Sequence, residues 1–139
     1  MTYTSPIPQL GLGTFGRTGD AGIQAILSAI EVGYRHIDTA QSYDTEGCVG
    51  EAIRRSGLPR SEFFVTTKVA DTNLSKVDFL PSVEKSLETI GIDQVDLLLI
   101  HWPSQNDAVP FDDYMLALAE ARQRGWTRHI GVSNFPIAL

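Results

Sequence analysis

The chain has 139 residues, of which 42% are hydrophobic and 20% charged, a balance that predicts one globular domain over residues 1–139 with no internal boundary. Its 11 basic and 17 acidic residues give a formal net charge of −6, and no run of Lys and Arg offers a track for a phosphate backbone, so nucleic acid and anionic membrane are excluded as expected partners. A single cysteine permits no internal disulfide, and the absence of a leader-like or long apolar segment predicts a cytoplasmic protein.

The first predicted elements are a short strand at residues 10–13 and a helix that ends before Gly33. The helix is indicated by apolar residues at the i, i+3, i+4, i+7 spacing of one buried face. These residues are Ile23, Ile26, Leu27 and Ile30.

Residues 33–53, GYRHIDTAQSYDTEGCVGEAI, combine a strand end with a helix start. A strand at residues 35–37 ends on Asp38, a loop carries Tyr43, and a second helix opens at Thr45. An acid just past a strand often does no more than cap a helix, so Asp38 alone is ambiguous.

The β-branched and aromatic residues 63–67 predict a third strand, which ends on Lys68. After a polar loop, a third helix buries one apolar face and ends at Gly91. Pro81 is expected to lie in the first turn of this helix or to kink it. The apolar face consists of Leu80, Val83, Leu87 and Ile90.

Val95–Ile100 is almost unbroken aliphatic sequence, as expected of a parallel strand covered on both faces, and it ends on His101. A fourth helix spans about residues 111–124. Thr127–Val132 then forms a fifth strand, which ends on Ser133 and Asn134.

Five strands that alternate with four helices predict an α/β fold built from right-handed parallel βαβ units. A doubly wound open sheet and a (β/α)8 TIM barrel both fit this alternation. A barrel needs roughly 200 residues, so the chain is too short to close one.

Residues 11–16, GLGTFG, satisfy the G-x-G-x-x-G pattern of a Rossmann-type dinucleotide-binding domain, and Asp38 supplies the acid that follows it. However, the preceding strand is short and follows Pro8. The apolar helix stripe begins only at Ile23 instead of opening at the third glycine. The Rossmann interpretation is therefore the minor alternative.

Asp38, Lys68, His101 and the Ser133–Asn134 pair each stand at the carboxyl end of a predicted strand, where α/β folds bind ligands. Taken one by one, each has an ordinary explanation: a solvated lysine, a buried histidine, a helix-capping acid. Parallel strands would bring their ends onto one rim together with a phenol from the following loop. That joint placement is the signal for a site.

The chemistry of this set is that of a proton donor. A free tyrosine ionises near pH 10, and an ammonium about 4 Å away favours the ionised phenol. Asp38 would keep Lys68 protonated and oriented, His101 could donate a hydrogen bond to a substrate carbonyl, and Tyr43 could protonate a developing alkoxide.

The segments GYRHIDTAQSYDTE, VTTK, VDLLLIHWP and IGVSNF resemble the aldo-keto reductase family, and the resemblance covers essentially the whole chain. It is strongest to the bacterial branch that reduces 2,5-diketo-gluconate, methylglyoxal or β-keto esters. The resemblance implies an aldo-keto reductase barrel, present here as about its first five strands and four helices, and reduction of small carbonyl substrates by NADPH.

The resemblance also implies roles for individual residues. Tyr43 would be the general acid, tuned by Lys68 and Asp38, and His101 would orient the substrate carbonyl. The cofactor and pocket assignments fall on further residues at the rim. Ser133 and Asn134 would hold the nicotinamide carboxamide, Thr14 and Asp38 would lie near the nicotinamide ribose, and Phe15 and Trp102 would line the substrate pocket.

Two departures from the family pattern bear on these expectations. The helix opening has Thr45-Glu46 where many members have Asn before the glutamate, and Thr45 is expected to cap the helix. Family members continue for about as long again, and the last barrel strands and the Lys/Arg cluster for the cofactor's 2′-phosphate belong to that second half.

A chain without that half could be a catalytically incompetent fragment or a half-barrel interaction module. We expect the full-length enzyme to be a monomer and the 139-residue chain to self-associate. We expect no metal site, because His36, His129 and Cys48 lack metal-ligand spacing.

Overall fold

The computed structural model describes residues 6–139, which fold into alternating strands and helices. The strands are β1 (Gly11–Gly13), β2 (His36–Asp38), β3 (Phe64–Val69), β4 (Val95–Ile100) and β5 (Thr127–Val132), and the helices are α1 (Gly19–Glu31), α2 (Glu46–Ser56), α3 (Phe79–Ile90) and α4 (Phe111–Gln123). Short 3₁₀ turns occupy Gln41–Tyr43, Arg60–Glu62, Asp71–Asn73 and Gln105–Asp107.

All five strands are parallel and lie in the order β1-β2-β3-β4-β5, so each strand pairs with its predecessor in the chain. This order is that of a (β/α)8 barrel. A Rossmann sheet instead reverses its order after the third strand and places the fourth strand beside the first, and its first helix opens at the glycine-rich turn, whereas α1 begins only at Gly19. The Rossmann alternative is therefore wrong.

The predicted bounds hold for β4 and β5 and shift slightly elsewhere. β2 begins at His36 and includes Asp38, and β3 runs through Lys68 to Val69 because Val69 pairs with Ile100. Lys68 consequently lies one residue inside its strand instead of at its end.

Local signals account for the helix ends. Gly57 and Gly91 follow α2 and α3 with φ of 71° and 80°, the left-handed conformation that closes a helix at little cost only in glycine. Pro81 is the third residue of α3, where its missing N–H would have had no intrahelical partner. Gly50 packs against the Ile90 carbonyl, so a side chain there would force α2 away from α3.

The core lies between the sheet and the four helices. It is built from side chains that alternate with those facing the barrel interior. Its fully buried members include Ile26, Ile37, Val49, Val65, Phe79, Leu98, Ile100 and Leu118.

The interior face of the sheet is less covered than the helix face. Leu97 and Leu99 of β4 point to that side and are only half-buried, because the described strands do not close around them. The expectation that β4 is covered on both faces is therefore wrong for the interior face.

An ion pair at the amino-terminal end of the sheet joins the turn before β3 to β4. Arg60 donates to Asp96 Oδ2 at 2.6 Å, and the same oxygen accepts from Val65 N at 2.8 Å, so this buried carboxylate is compensated. No helix of the described residues is long and apolar enough to span a membrane.

Candidate active site

The carboxyl ends of the strands bring the predicted residues onto one rim. Asp38 is the last residue of β2, while His101 and Ser133 directly follow β4 and β5. The register pairs Asp38 with Thr66, two residues before Lys68 on β3, and side chains two residues apart on a strand face the same side. Asp38 and Lys68 therefore both point toward the barrel interior.

Lys68 and Asp38 form a close ion pair beneath this rim. Lys68 Nζ donates to Asp38 Oδ1 at 2.6 Å and to Thr39 O at 3.0 Å. Lys68 is only 7% exposed, and a buried ammonium requires such partners because burial removes its water. Two of its three hydrogens are thus engaged.

Tyr43 ends the 3₁₀ turn Gln41–Tyr43, so it is held in a hydrogen-bonded turn where the sequence had predicted an open loop. Lys68 Nζ lies 4.9 Å from the centroid of its ring. The His101 ring lies edge-on to it at 5.4 Å between centroids. The structure thus brings the acid, the lysine, the phenol and the histidine together.

Gln41 anchors the turn that carries Tyr43. Its amide oxygen accepts from Ala70 N and from Asn73 Nδ2, both at 2.9 Å, and its amide nitrogen donates to the hydroxyls of Ser82 and Ser86. All four hydrogen-bonding positions of this amide are filled. The turn is therefore fixed to the end of β3 and to α3.

His101 lies between Tyr43 and Trp102. Burial, supported by the nearby Lys68 ammonium, lowers the pKa of His101 below its usual value, so its imidazole is neutral at neutral pH. Its Nδ1 lies 3.4 Å from Ser42 Oγ. If the Ser42 hydroxyl donates to Nδ1, the remaining ring proton is on Nε2.

Ser133 and Asn134 extend the rim beyond β5. Asn134 has a φ of 61°, a left-handed conformation that asparagine tolerates better than most residues. Its amide nitrogen donates to His101 O at 2.9 Å and to Ser133 Oγ at 3.0 Å. These bonds fix Ser133 and Asn134 to the carboxyl end of β4, where His101 lies.

The two aromatic residues predicted to line the pocket are exposed at the rim. Phe15 is 76% exposed and contacts the Tyr43 ring edge-on at 5.2 Å, and Trp102 is 50% exposed and stacks at 6.4 Å on His101. Thr14 differs, because it is completely buried and its hydroxyl donates to Asp38 O. A ribose above the rim would not reach that proton.

Sequence reasoning did not identify Gln41, Ser42 or the buried carboxylate of Glu46 as part of the site. Thr67 Oγ1 donates to Glu46 Oε1 at 2.5 Å, and burial raises the pKa of Glu46 above its usual value. Gln41 and Ser42 directly precede Tyr43, so their position beside the phenol was the available signal.

Thr45 occupies the N-cap position of α2 as predicted, but its side chain makes no capping hydrogen bond. Its hydroxyl instead bonds to Thr14 and Thr39. The capping prediction is therefore wrong, because two buried hydroxyls compete for the same oxygen.

Other candidate residues lie away from the rim chemistry. Within residues 6–139, no three His, Cys, Asp or Glu side chains are grouped as metal ligands. Cys48 is partly buried against the core. A cavity of about 700 Å³ lies at the opposite end of the sheet, around Arg60 and Asp96, and none of the rim residues lines it.

The chain matches the model of the Aldo/keto reductase family over residues 9–139. It is 52% identical to the methylglyoxal reductase DkgB of Salmonella typhi over 96% of this chain and 50% of that protein. It is 39% identical to the 2,5-diketo-D-gluconic acid reductase B of Corynebacterium sp. (strain SHS752001), over 94% of this chain and 47% of that protein.

The fold is also similar to solved structures. One is a Bombyx mori aldo-keto reductase in complex with NADP, at a TM-score of 0.84 and 37% identity, covering 93% of this chain and 47% of that one. The chain spans about half the length of the curated relatives that it matches.

Proposed function

The chain belongs to the aldo/keto reductase family, and from that premise we propose that it supplies the catalytic half of an enzyme that reduces aldehydes or ketones to alcohols with NADPH. The family membership confirms the prediction of an incomplete barrel of this family.

One observation carries the proposal more than any other. A buried lysine, paired with Asp38 at 2.6 Å, lies 4.9 Å from the ring of Tyr43, and a neutral histidine faces the same ring. A purely structural ion pair would not need a phenol and an imidazole at its exposed side. Reduction of a carbonyl uses both, the phenol as the proton donor and the imidazole to orient the carbonyl oxygen.

In the proposed reaction, His101 orients the substrate by donating its Nε2–H to the carbonyl oxygen. Tyr43 then gives its phenolic proton to that oxygen as negative charge develops on it. Lys68 stabilises the resulting phenolate, and Asp38 holds the ammonium in place. Phe15 and Trp102 exclude water from one side of the reacting carbon.

NADPH, when bound, would supply the hydride to the carbonyl carbon. The residues beside His101 fit its nicotinamide end. Both hydrogens of the Asn134 amide are engaged within the protein, which leaves its oxygen to accept from a carboxamide NH₂. The second oxygen of the partly exposed Asp38 carboxylate can accept from a ribose hydroxyl.

The resemblance implies that the anchor for the 2′-phosphate belongs to the second half of the family's barrel. We therefore propose that this chain provides the nicotinamide end of the cofactor site and that a second half provides the phosphate end. The named relatives make methylglyoxal and 2,5-diketo-D-gluconic acid the first substrates to test.

The test is NADPH oxidation, followed at 340 nm, by the protein as its gene encodes it and by a chimera in which residues 1–139 precede the second half of the Salmonella typhi relative. The substrates are methylglyoxal, 2,5-diketo-D-gluconate and an aromatic aldehyde. Carbonyl-dependent oxidation that Tyr43→Phe abolishes supports the proposal. A chimera that folds and binds NADPH but oxidises it with none of these carbonyls contradicts it.

The open interior face of the sheet favours a second candidate function. Leu97 and Leu99 are half-buried, and β1 and β5 each pair on one side only within residues 6–139. A module that pairs with another chain to cover this face would share the fold without turnover of its own. Inactivity of the encoded protein, together with activity of the chimera, would favour this second candidate.

A further inference from the structure

Three threonine hydroxyls form a buried group directly below the rim. Thr14 follows β1, Thr39 follows β2 and Thr45 precedes α2, and all three are 0% exposed. Thr39 Oγ1 lies 2.8 Å from Thr45 Oγ1, which lies 2.9 Å from Thr14 Oγ1, and Thr14 Oγ1 lies 2.8 Å from Asp38 O.

The direction of each hydrogen bond follows from the number of protons. A carbonyl oxygen only accepts hydrogen bonds, so the Thr14 hydroxyl donates its single proton to Asp38 O. Thr14 must then accept from Thr45, whose single proton is used there, and Thr45 must accept from Thr39. The chain therefore runs one way, from Thr39 through Thr45 and Thr14 to the carbonyl of Asp38.

Both ends of this chain belong to the residues that hold Lys68. The Lys68 ammonium donates to Asp38 Oδ1 and to Thr39 O, and Thr39 N donates to Thr66 O at 2.8 Å. Residues 38 and 39 thus accept two of the ammonium hydrogens, one through the Asp38 side chain and one through the Thr39 main chain.

We propose that Thr39, Thr45 and Thr14 form a directed hydroxyl chain that positions Asp38 and, through it, the Lys68 ammonium, with Thr45 as the central positioning residue. The proposal rests on the proposed function for its catalytic consequence. Thr45 is free for this role because its side chain caps no helix N–H.

The direction predicts an asymmetry among three Thr→Val variants of the encoded protein. Thr45→Val removes the acceptor of the Thr39 proton, and Thr14→Val likewise leaves one hydroxyl proton of the chain without an acceptor. Thr39→Val removes only the first donor and orphans no proton. An orphaned buried donor lowers Tm by roughly 3–8 °C, so we expect Thr45→Val and Thr14→Val to lose that much and Thr39→Val less than half of it.

The positioning role is tested on Thr45, which touches no substrate or cofactor in the proposed mechanism. Thr45→Val should lower kcat roughly tenfold, in line with the sensitivity of catalysis to small displacements. It should also move the alkaline limb of the pH–rate profile to higher pH and leave KM unchanged. Thr45→Ser, which keeps the hydroxyl, should restore both.

Thr127→Val is the matched control. Thr127 is also buried, and its hydroxyl donates to His129 O at 2.7 Å on β5, away from the rim. This control should lose Tm without changing the pH–rate profile. If Thr45→Val does not fold, Thr45→Ala removes the same hydroxyl.

Lys68, Asp38 and His101 all face Tyr43, so each of them could affect the pH–rate profile. The ¹⁵N chemical shift of Lys68 Nζ reports on the ammonium alone and does not depend on turnover. Thr45→Val should change this shift and Thr127→Val should not, even if the wild-type protein reduces no carbonyl. An equal Tm loss in all three threonine variants overturns the direction of the chain. An unchanged Lys68 signal in Thr45→Val overturns the positioning role, whatever the outcome for the proposed function.

Discussion

The Lys68 ammonium has three hydrogens, and Asp38 Oδ1 and Thr39 O accept two of them. The ammonium also lies near the Tyr43 ring. Lys68 can therefore act on Tyr43 through its charge while remaining held by the protein. The proposed roles of Tyr43 and Lys68 can be separated, because one transfers a proton and the other only changes the stability of the phenolate.

At Tyr43, we expect Tyr43→Phe to lower kcat for carbonyl reduction by roughly 10²- to 10⁴-fold, the contribution typical of general acid catalysis, while NADPH affinity stays near its wild-type value. Steady-state kinetics and a fluorescence titration of the cofactor measure the two quantities. Tyr34→Phe removes a phenol away from the rim and should change neither. An unchanged kcat in Tyr43→Phe would exclude the phenol as the acid.

At Lys68, we expect Lys68→Met to lower kcat and to move the alkaline limb of the pH–rate profile to higher pH. Without the ammonium, the ionised phenol loses its nearest positive charge, so the protonated phenol persists to higher pH. Lys85→Met, an exposed lysine on α3, is the control. A loss of activity with an unmoved profile would assign Lys68 a structural role only.

At the scale of single elements, the first turn of α2 is held against β3 by a buried carboxylate. Glu46 accepts a hydrogen bond from Thr67 at 2.5 Å, and burial raises the pKa of Glu46 more than its hydrogen bonds lower it. A raised pKa means that the stability from this group is complete below pH 4.5 and is lost as pH rises through the folded-state pKa.

We therefore expect Glu46→Gln to gain stability relative to the wild type as pH rises from 4.5 to 7.5, because the amide carries no charge into the buried position. Urea denaturation of both proteins at the two pH values measures this difference. Burial lowers the pKa of His36 and of His101 in both proteins, so the contribution of these two groups cancels in the difference. Glu84→Gln, on the exposed side of α3, should show no such trend.

The elements that could be predicted from sequence are those whose pattern is local. The aliphatic run of β4 and the apolar stripe of α3 are each enough to predict a strand and a helix. Parallel pairing of the strands then predicts that Asp38 and His101 lie on one rim. The rest depends on partners distant in sequence. Val69 belongs to β3 because it pairs with Ile100 of β4. The Thr45 side chain does not cap α2 because its hydroxyl is hydrogen-bonded to Thr14 and Thr39.

The same limit applies to the turn that carries Tyr43. Gln41 is one polar residue among several in DTAQSYDTE, and nothing local distinguishes it from Ser42 or Thr45. Its four hydrogen bonds run to the segment just after β3 and to α3, which lie about 30 to 45 residues away along the chain. Only the assembled βα units reveal that this amide fixes the position of the phenol.

At the scale of the whole molecule, the described residues form an open sheet with helices on one face. Leu97 and Leu99 point to the opposite face, and the outer edges of β1 and β5 are unpaired within residues 6–139. Unpaired strand edges beside apolar side chains favour association with another chain.

We expect the isolated 139-residue chain to be dimeric or larger at micromolar concentration, as measured by light scattering after size-exclusion chromatography. Leu99→Glu places a charge on the interior face and should shift the population toward monomer. Val77→Glu, at a residue 80% exposed elsewhere, is the matched control and should not. A stable wild-type monomer would show that the open face needs no partner.

The sequential strand order also bears on how this protein is made at the ribosome. Every pairing joins a strand to the one synthesised just before it, so no strand must wait for a distant segment before it can dock. The sheet can therefore grow one βα unit at a time during translation. The lysine, the phenol and the histidine would be in place once β4 has docked, well before the stretch after β5 leaves the exit tunnel.

We expect stalled nascent chains to gain protease protection in steps as each successive strand emerges. A single late step would instead indicate that the units assemble only together.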